Sequence, residues 1–134
     1  MEDQSDDSLF REIGLKVLVS SSENSVVILE KLWKEFSKFP RKDQVSLAKW
    51  MTIWCDGEHN LPPERYKMLG KFGEYRIDEF KSYQSRAYGT IATNWLGRTF
   101  VVTALDTKKS EDADPAVLKR ASRIATELKL EKKK

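Results

Sequence analysis

The stretch from Tyr75 to Lys109, YRIDEFKSYQSRAYGTIATNWLGRTFVVTALDTKK, leaves this chain few folds to choose from. It divides into three β-prone runs, around Tyr75–Glu79, Ser85–Thr93 and Arg98–Asp106. Polar turn residues part the first two, and Asn94 and Gly97 part the second and third. Runs spaced in this way predict an antiparallel meander. Basic residues recur along it, with Arg76 in the first run, Arg86 in the second, and Lys108 and Lys109 after the third. A sheet core has no use for them, so the sheet is expected to carry a basic face.

The remaining segments supply partners for that meander. Ile13–Ser20 runs apolar through Leu15, Val17, Leu18 and Val19 before a Ser/Asn-rich turn, which predicts a first strand. From Ser25 to Lys38, Val26, Leu29, Leu32, Trp33 and Phe36 recur at helical spacing and predict an amphipathic helix, broken by Phe39 and Pro40. A second helix is expected to about Cys55, with Val45, Leu47, Ala48, Met51, Trp54 and Cys55 on its apolar side and Gly57 ending it. The two form a helical hairpin in this reading, with Trp33, Trp50 and Trp54 as packing residues. Asp56 to Gly73, punctuated by Asn60, Pro62, Pro63, Gly70 and Gly73, reads as a basic loop carrying Arg65, Lys67 and Lys71. Asp114 followed by Pro115 marks the start of a last helix, whose apolar face is Val117, Leu118, Ala121, Ile124, Ala125 and Leu128.

At 134 residues the chain has room for one modest core. The organisation expected is a disordered acidic leader over residues 1–8, a single domain over 9–130 and a basic tail over 131–134. The formal charge is +3, but Glu2, Asp3, Asp6 and Asp7 lie in the leader, so the rest carries 24 bases against 17 acids. A basic body favours a polyanionic partner through counterion release. No apolar run reaches the roughly 20 residues of a membrane span, and the leader is unlike a signal peptide, so a cytoplasmic protein with no membrane partner is expected. The single cysteine, Cys55, rules out an internal disulfide and reads as a core thiol. His59 has no second histidine or nearby cysteine to share a metal ion, and no metal or cofactor is expected.

No serine–histidine pair and no glycine-rich phosphate loop is present. What remains is a set of cations with one phenol: Lys67, Lys71, Arg76, Arg86, Tyr88, Lys108 and Lys109. Such a set holds a phosphodiester and stabilises the charge that grows on it when a ribose 2′-hydroxyl attacks phosphorus. Arg86 and Tyr88 are two residues apart on one strand and share a face, continued by Thr90. Arg76 joins them only if the strand register allows it, and a surface ion pair to Asp78 or Glu79 is its alternative.

In their order, the segments FSKFPRKDQVSLAKW, LPPERYKMLGKFGEYRI, SRAYGTI and FVVTALDTKKSEDADP resemble the RelE/ParE toxin superfamily, particularly its HigB-like, phage-derived branch, from about Phe36 to Lys129. The fold implied is α+β: an N-terminal helical hairpin packed on a small twisted, mainly antiparallel sheet, with a C-terminal helix. The function implied is the toxin of a type II toxin–antitoxin pair, a ribosome-dependent, metal-independent endoribonuclease that cleaves mRNA and inhibits translation. Its partners would be a cognate antitoxin, mRNA and the ribosome. By the resemblance, Arg76 and Arg86 bind phosphate and stabilise the transition state, with Lys108 and Lys109 beside them, while Arg65, Lys67 and Lys71 hold the RNA backbone. Asp106 is the acid–base candidate beside Tyr88, since no tyrosine follows Tyr88 and His59 is the single histidine. Two alternatives share the scaffold: a non-catalytic ParE-like toxin that binds DNA gyrase, and an RNA-binding module that has lost activity.

Overall fold

The computed structural model describes residues 11–21, 23–57, 61–92, 97–107 and 113–128. Among these, strands β1 (Leu15–Ser20) and β2 (Ser25–Leu29) come first, and a 3₁₀ turn over Glu30–Leu32 leads into α1 (Trp33–Ser37) and α2 (Arg41–Cys55). Four strands follow, β3 (Tyr66–Phe72), β4 (Tyr75–Ser82), β5 (Ser85–Ala92) and β6 (Thr99–Thr107), and then α3 (Pro115–Glu127). The six strands form one sheet in the order β1-β2-β6-β5-β4-β3. β4 to β6 make the expected three-stranded meander and β3 extends it by one antiparallel strand, while β2 lies parallel to β6, so the sheet is mixed.

The expected fold needs correcting in three places. The helical hairpin is not N-terminal: a strand pair precedes it, and the sheet begins at Leu15. Residues 25–29 form a strand where helical spacing predicted a helix, because Val26, Val27 and Ile28 are β-branched, central in the sheet and buried on both of its faces. An apolar run of that kind matches a 3.6-residue period by accident. The sheet, finally, is larger than expected, since the presumed basic loop contains β3. Gly70 lies at an irregularity in the β3–β4 pairing and Gly73 (φ 68°) in the turn that joins the two strands, so these glycines punctuate a hairpin rather than a loop. The overall class remains α+β.

Helices cover both faces of the sheet. On one, α2 packs Leu47, Met51 and Trp54 against Val26, Ile28, Phe80 and Phe100. On the other, α3 packs Val117, Leu118, Ala121 and Ile124 against Val27, Ile77, Tyr88 and Val101. The start of α3 follows the sequence closely, as Asp114 Oδ1 accepts a hydrogen bond from Ala116 N at 3.0 Å with Pro115 in the first turn. Within the sheet, Gly89 permits the closest approach of backbones: a Cβ there would lie 2.0 Å from the Val101 carbonyl oxygen. Cys55 is buried and free, as its apolar setting suggested. No helix among the described residues is long and apolar enough to cross a membrane.

Candidate nucleic-acid interface

Strand alternation assigns each charged side chain of β4 and β5 to a face. Tyr75 and Ile77 pack toward α3 while Phe80 packs toward α2, so Glu79 and Lys81 share the α3 face and Arg76 and Asp78 the α2 face. Cross-strand register sets Glu79 opposite Tyr88, Lys81 opposite Arg86, and Arg86 opposite Asp106. Lys67 of β3 is opposite Glu79. Lys67, Glu79, Lys81, Arg86, Tyr88 and Asp106 therefore gather on the α3 face, toward the end of the sheet where β4 turns into β5.

Arg76 belongs elsewhere. On the α2 face it donates from Nε to Asp78 Oδ1 at 3.2 Å and from Nη2 to Asp78 Oδ2 at 3.1 Å, a two-pronged bond that also makes an ion pair. Tyr66 donates its hydroxyl to the same carboxylate. Burial pushes the Tyr66 phenol well up, and the Asp78 charge adds to that, so the phenol stays neutral. The Tyr66 ring is held edge-on against Phe80, 4.8 Å between centroids, which fixes this group to the core. Lys71, in register with Arg76, is exposed near the opposite, β3–β4 end of the sheet.

Arg86 and Arg76 thus point to opposite faces. The Arg86 guanidinium is almost fully buried, with Nε 3.4 Å from Glu79 Oε2 and Nη1 donating to the Tyr83 carbonyl at 2.6 Å. Burial raises the Glu79 carboxyl above its ordinary range, while Arg86, Lys81, the Tyr88 hydroxyl and Lys67 draw it back. Neither Glu79 oxygen completes a hydrogen bond of good geometry among the described residues, so the carboxylate is compensated by surrounding charge more than by direct donors. Tyr88 is buried in the α3-side core, and its phenol is pushed up first by burial and then by Glu79. A phenol so raised cannot act as a base near neutral pH. Asp106 is half-buried and accepts from its neighbour Thr107 N at 2.9 Å.

Of the nine residues singled out from the sequence, Arg65, Lys67, Arg86, Tyr88 and Asp106 lie toward one end of the sheet. Arg76 and Lys71 do not join them, and Lys108 and Lys109 lie outside the described residues, as does His59. Arg65 immediately precedes β3, and its carbonyl accepts from Lys81 N at 2.9 Å, which ties that segment to β4. Sequence reasoning missed Lys42 of α2 and Tyr83 of the β4–β5 turn, whose ring lies 4.7 Å from Lys42 Nζ. The signal was present in SYQS, an aromatic residue where a two-residue turn ordinarily takes glycine or asparagine. Among the described residues no group of histidine, cysteine, aspartate and glutamate is placed to hold a metal ion. Comparisons with protein-family models, with curated proteins and with solved structures returned no match.

Proposed function

We propose that the protein is an RNA-binding module that engages the phosphodiester backbone with Lys42, Arg65 and Lys67 and does not cleave it. One observation carries this reading: each arginine expected to serve a transition state is paired with a buried carboxylate, Arg76 with Asp78 and Arg86 with Glu79, on opposite faces of the sheet. Cleavage by charge stabilisation requires donors that converge on one phosphate. Binding requires only outward cations, and Lys42 and Lys67 are exposed and Arg65 half-buried around one end of the sheet. The toxin–antitoxin setting implied by the resemblance remains compatible with this role, with an acidic antitoxin segment as the protein that would cover the cations.

The test is the salt dependence of binding to a fluorescein-labelled 12-nucleotide single-stranded RNA, followed by anisotropy. Three phosphate contacts predict a slope of log K against log salt of about −2, and the Arg65→Ala/Lys67→Ala variant should bring it to about −0.7. Lys71→Ala, at the far end of the sheet, should leave it unchanged. An absence of binding at low salt, or an unchanged slope in the double variant, refutes the interface.

A nuclease toxin is the second reading, favoured by the in-register placement of Arg86 and Asp106 beside Tyr88. Cleavage of mRNA in a purified translation system, abolished by Arg86→Lys, would decide for it. DNA-gyrase inhibition without RNA binding would instead point to the ParE-like alternative.

A further inference from the structure

The turn between β4 and β5 is two residues long, Tyr83 and Gln84. Tyr83 has φ 55° and is the single non-glycine residue in that region of backbone space among the described residues. A two-residue hairpin loop with positive φ at its first position alone ordinarily places glycine there, because a side chain is strained in that conformation. The strained conformation is fastened from both faces of the sheet. Arg86 Nη1, on the α3 side, holds the Tyr83 carbonyl at 2.6 Å, and Ser85 Oγ, on the α2 side, donates to Asp43 Oδ2 at 2.7 Å. Ser82 and Ser85, on either side of the turn, are buried, yet Tyr83 itself is 59% exposed. The surroundings therefore fix the backbone and deliver the ring to solvent.

Two cations attend that ring. Lys42 Nζ lies 4.7 Å and Arg65 Cζ 5.5 Å from its centroid, and they come from different elements, the first turn of α2 and the segment before β3. A ring buried for packing would not be delivered outward, and a solubilising turn would not need an aromatic residue in a glycine position. An exposed aromatic ring flanked by phosphate-binding side chains is the arrangement by which single-stranded nucleic acid is held, the ring taking a base face and the cations the backbone.

We infer that Tyr83 is a stacking platform for an unpaired nucleobase of single-stranded RNA, with Lys42 and Arg65 moving from the ring to the phosphates on either side of that base. The inference rests on the RNA-binding reading above and adds to it a preference for unpaired over duplex RNA. Stacking demands an accessible base face, which a helix interior withholds, whereas the cations alone serve either form.

The experiment compares the wild type with Tyr83→Ala, Tyr83→Phe and Tyr83→Gly on a 12-nucleotide oligouridylate and on a 12-base-pair RNA duplex. Tyr83→Ala should bind the single strand roughly tenfold or more weakly, while Tyr83→Phe stays within about twofold of wild type. The duplex affinity should not change, nor should the salt slope on the single strand, since a lost stack releases no counterions. Tyr83→Gly provides the folding control: it relieves the backbone strain, so its thermal midpoint should not fall, yet its single-strand affinity should drop as in Tyr83→Ala. Wild-type binding with the expected slope and an unchanged Tyr83→Ala affinity overturns the platform and leaves the RNA-binding reading standing. A shallower slope in Tyr83→Ala also overturns it, because the ring would then act by positioning the cations. A wild type that binds neither RNA, or binds only an acidic peptide, overturns both.

Discussion

Replacing Arg86 by methionine removes a buried positive charge while keeping most of the side-chain volume, and leaves Glu79 without the cation that most draws its pKa down. Breaking a buried ion pair from one side costs about 3–5 kcal/mol, because the remaining charge is desolvated without compensation. The lost charged hydrogen bond to the Tyr83 carbonyl adds to the cost, while Lys81 and Lys67 still act on Glu79, so a loss of about 3 kcal/mol at neutral pH is expected. The pH dependence follows from the raised Glu79 carboxyl. A carboxyl group whose pKa is higher in the folded than in the unfolded chain favours the fold below its ordinary range, and that contribution is lost as pH rises through the folded value. Removing Arg86 lifts the folded value further and widens this window, so the deficit of Arg86→Met should be large near pH 7 and smaller in mild acid. The assay is urea unfolding of wild type, Arg86→Met and Arg86→Met/Glu79→Gln at pH 5 and pH 7. The double variant, in which neither member of the Arg86–Glu79 pair is charged, should recover at least half of the loss at pH 7. A loss below about 1 kcal/mol, or one equal at both pH values, would refute the reasoning.

Two other expectations concern the core. Gly89→Ala would drive a Cβ into the Val101 carbonyl oxygen at 2.0 Å and the Phe100 ring at 2.8 Å; a neighbouring strand cannot yield that far, so a loss of about 3 kcal/mol or more is expected, and an unchanged melting temperature would contradict it. The Cys55 thiol, pushed up to about 12 by burial and by Asp56 against the opposing pull of Arg98, should resist iodoacetamide at pH 8 in the folded protein and react once urea unfolds it. Rapid labelling under native conditions would show that the C-terminal end of α2 opens.

The sequence exposed those parts of the fold whose local signals act alone. The Asp114–Pro115 start of α3 needs only a capping carboxylate and a fixed φ, and the meander was announced by β-prone runs with turn residues between them. β2 was hidden because Val26–Leu29 is buried on both faces, and burial on two faces erases the alternation that distinguishes a strand from a helix. β3 was hidden because Gly70 and Gly73, which shape a hairpin in space, look like loop residues in one dimension. The candidate interface was partly visible: Arg65 and Lys67 were chosen for their charge, whereas Arg86, chosen for its strand face and its motif, is buried in an ion pair with Glu79. Arg76 was assigned a shared site that only register can grant, and register follows from pairings between strands, which no single stretch of sequence encodes. Tyr83 escaped notice because SYQS marks it only once the turn is known to be two residues long, and the positive φ that sets it apart is not written in the sequence.

The parallel pairing of β2 with β6 also governs when this protein can exist during synthesis. Asn24 Oδ1 accepts from Arg98 N across 74 residues of chain, at the entrance to that pairing. Until the ribosome releases β6, the apolar strand β2 has β1 beside it on one edge and no neighbour on the other. The middle of the sheet is consequently the last part of it to close, and the nascent chain carries an open, sticky strand edge for most of its translation. A chain of this topology depends on slow, long-range closure, and conditions that stall elongation before residue 99 would present aggregation partners with Val26, Val27 and Ile28 rather than with a folded surface.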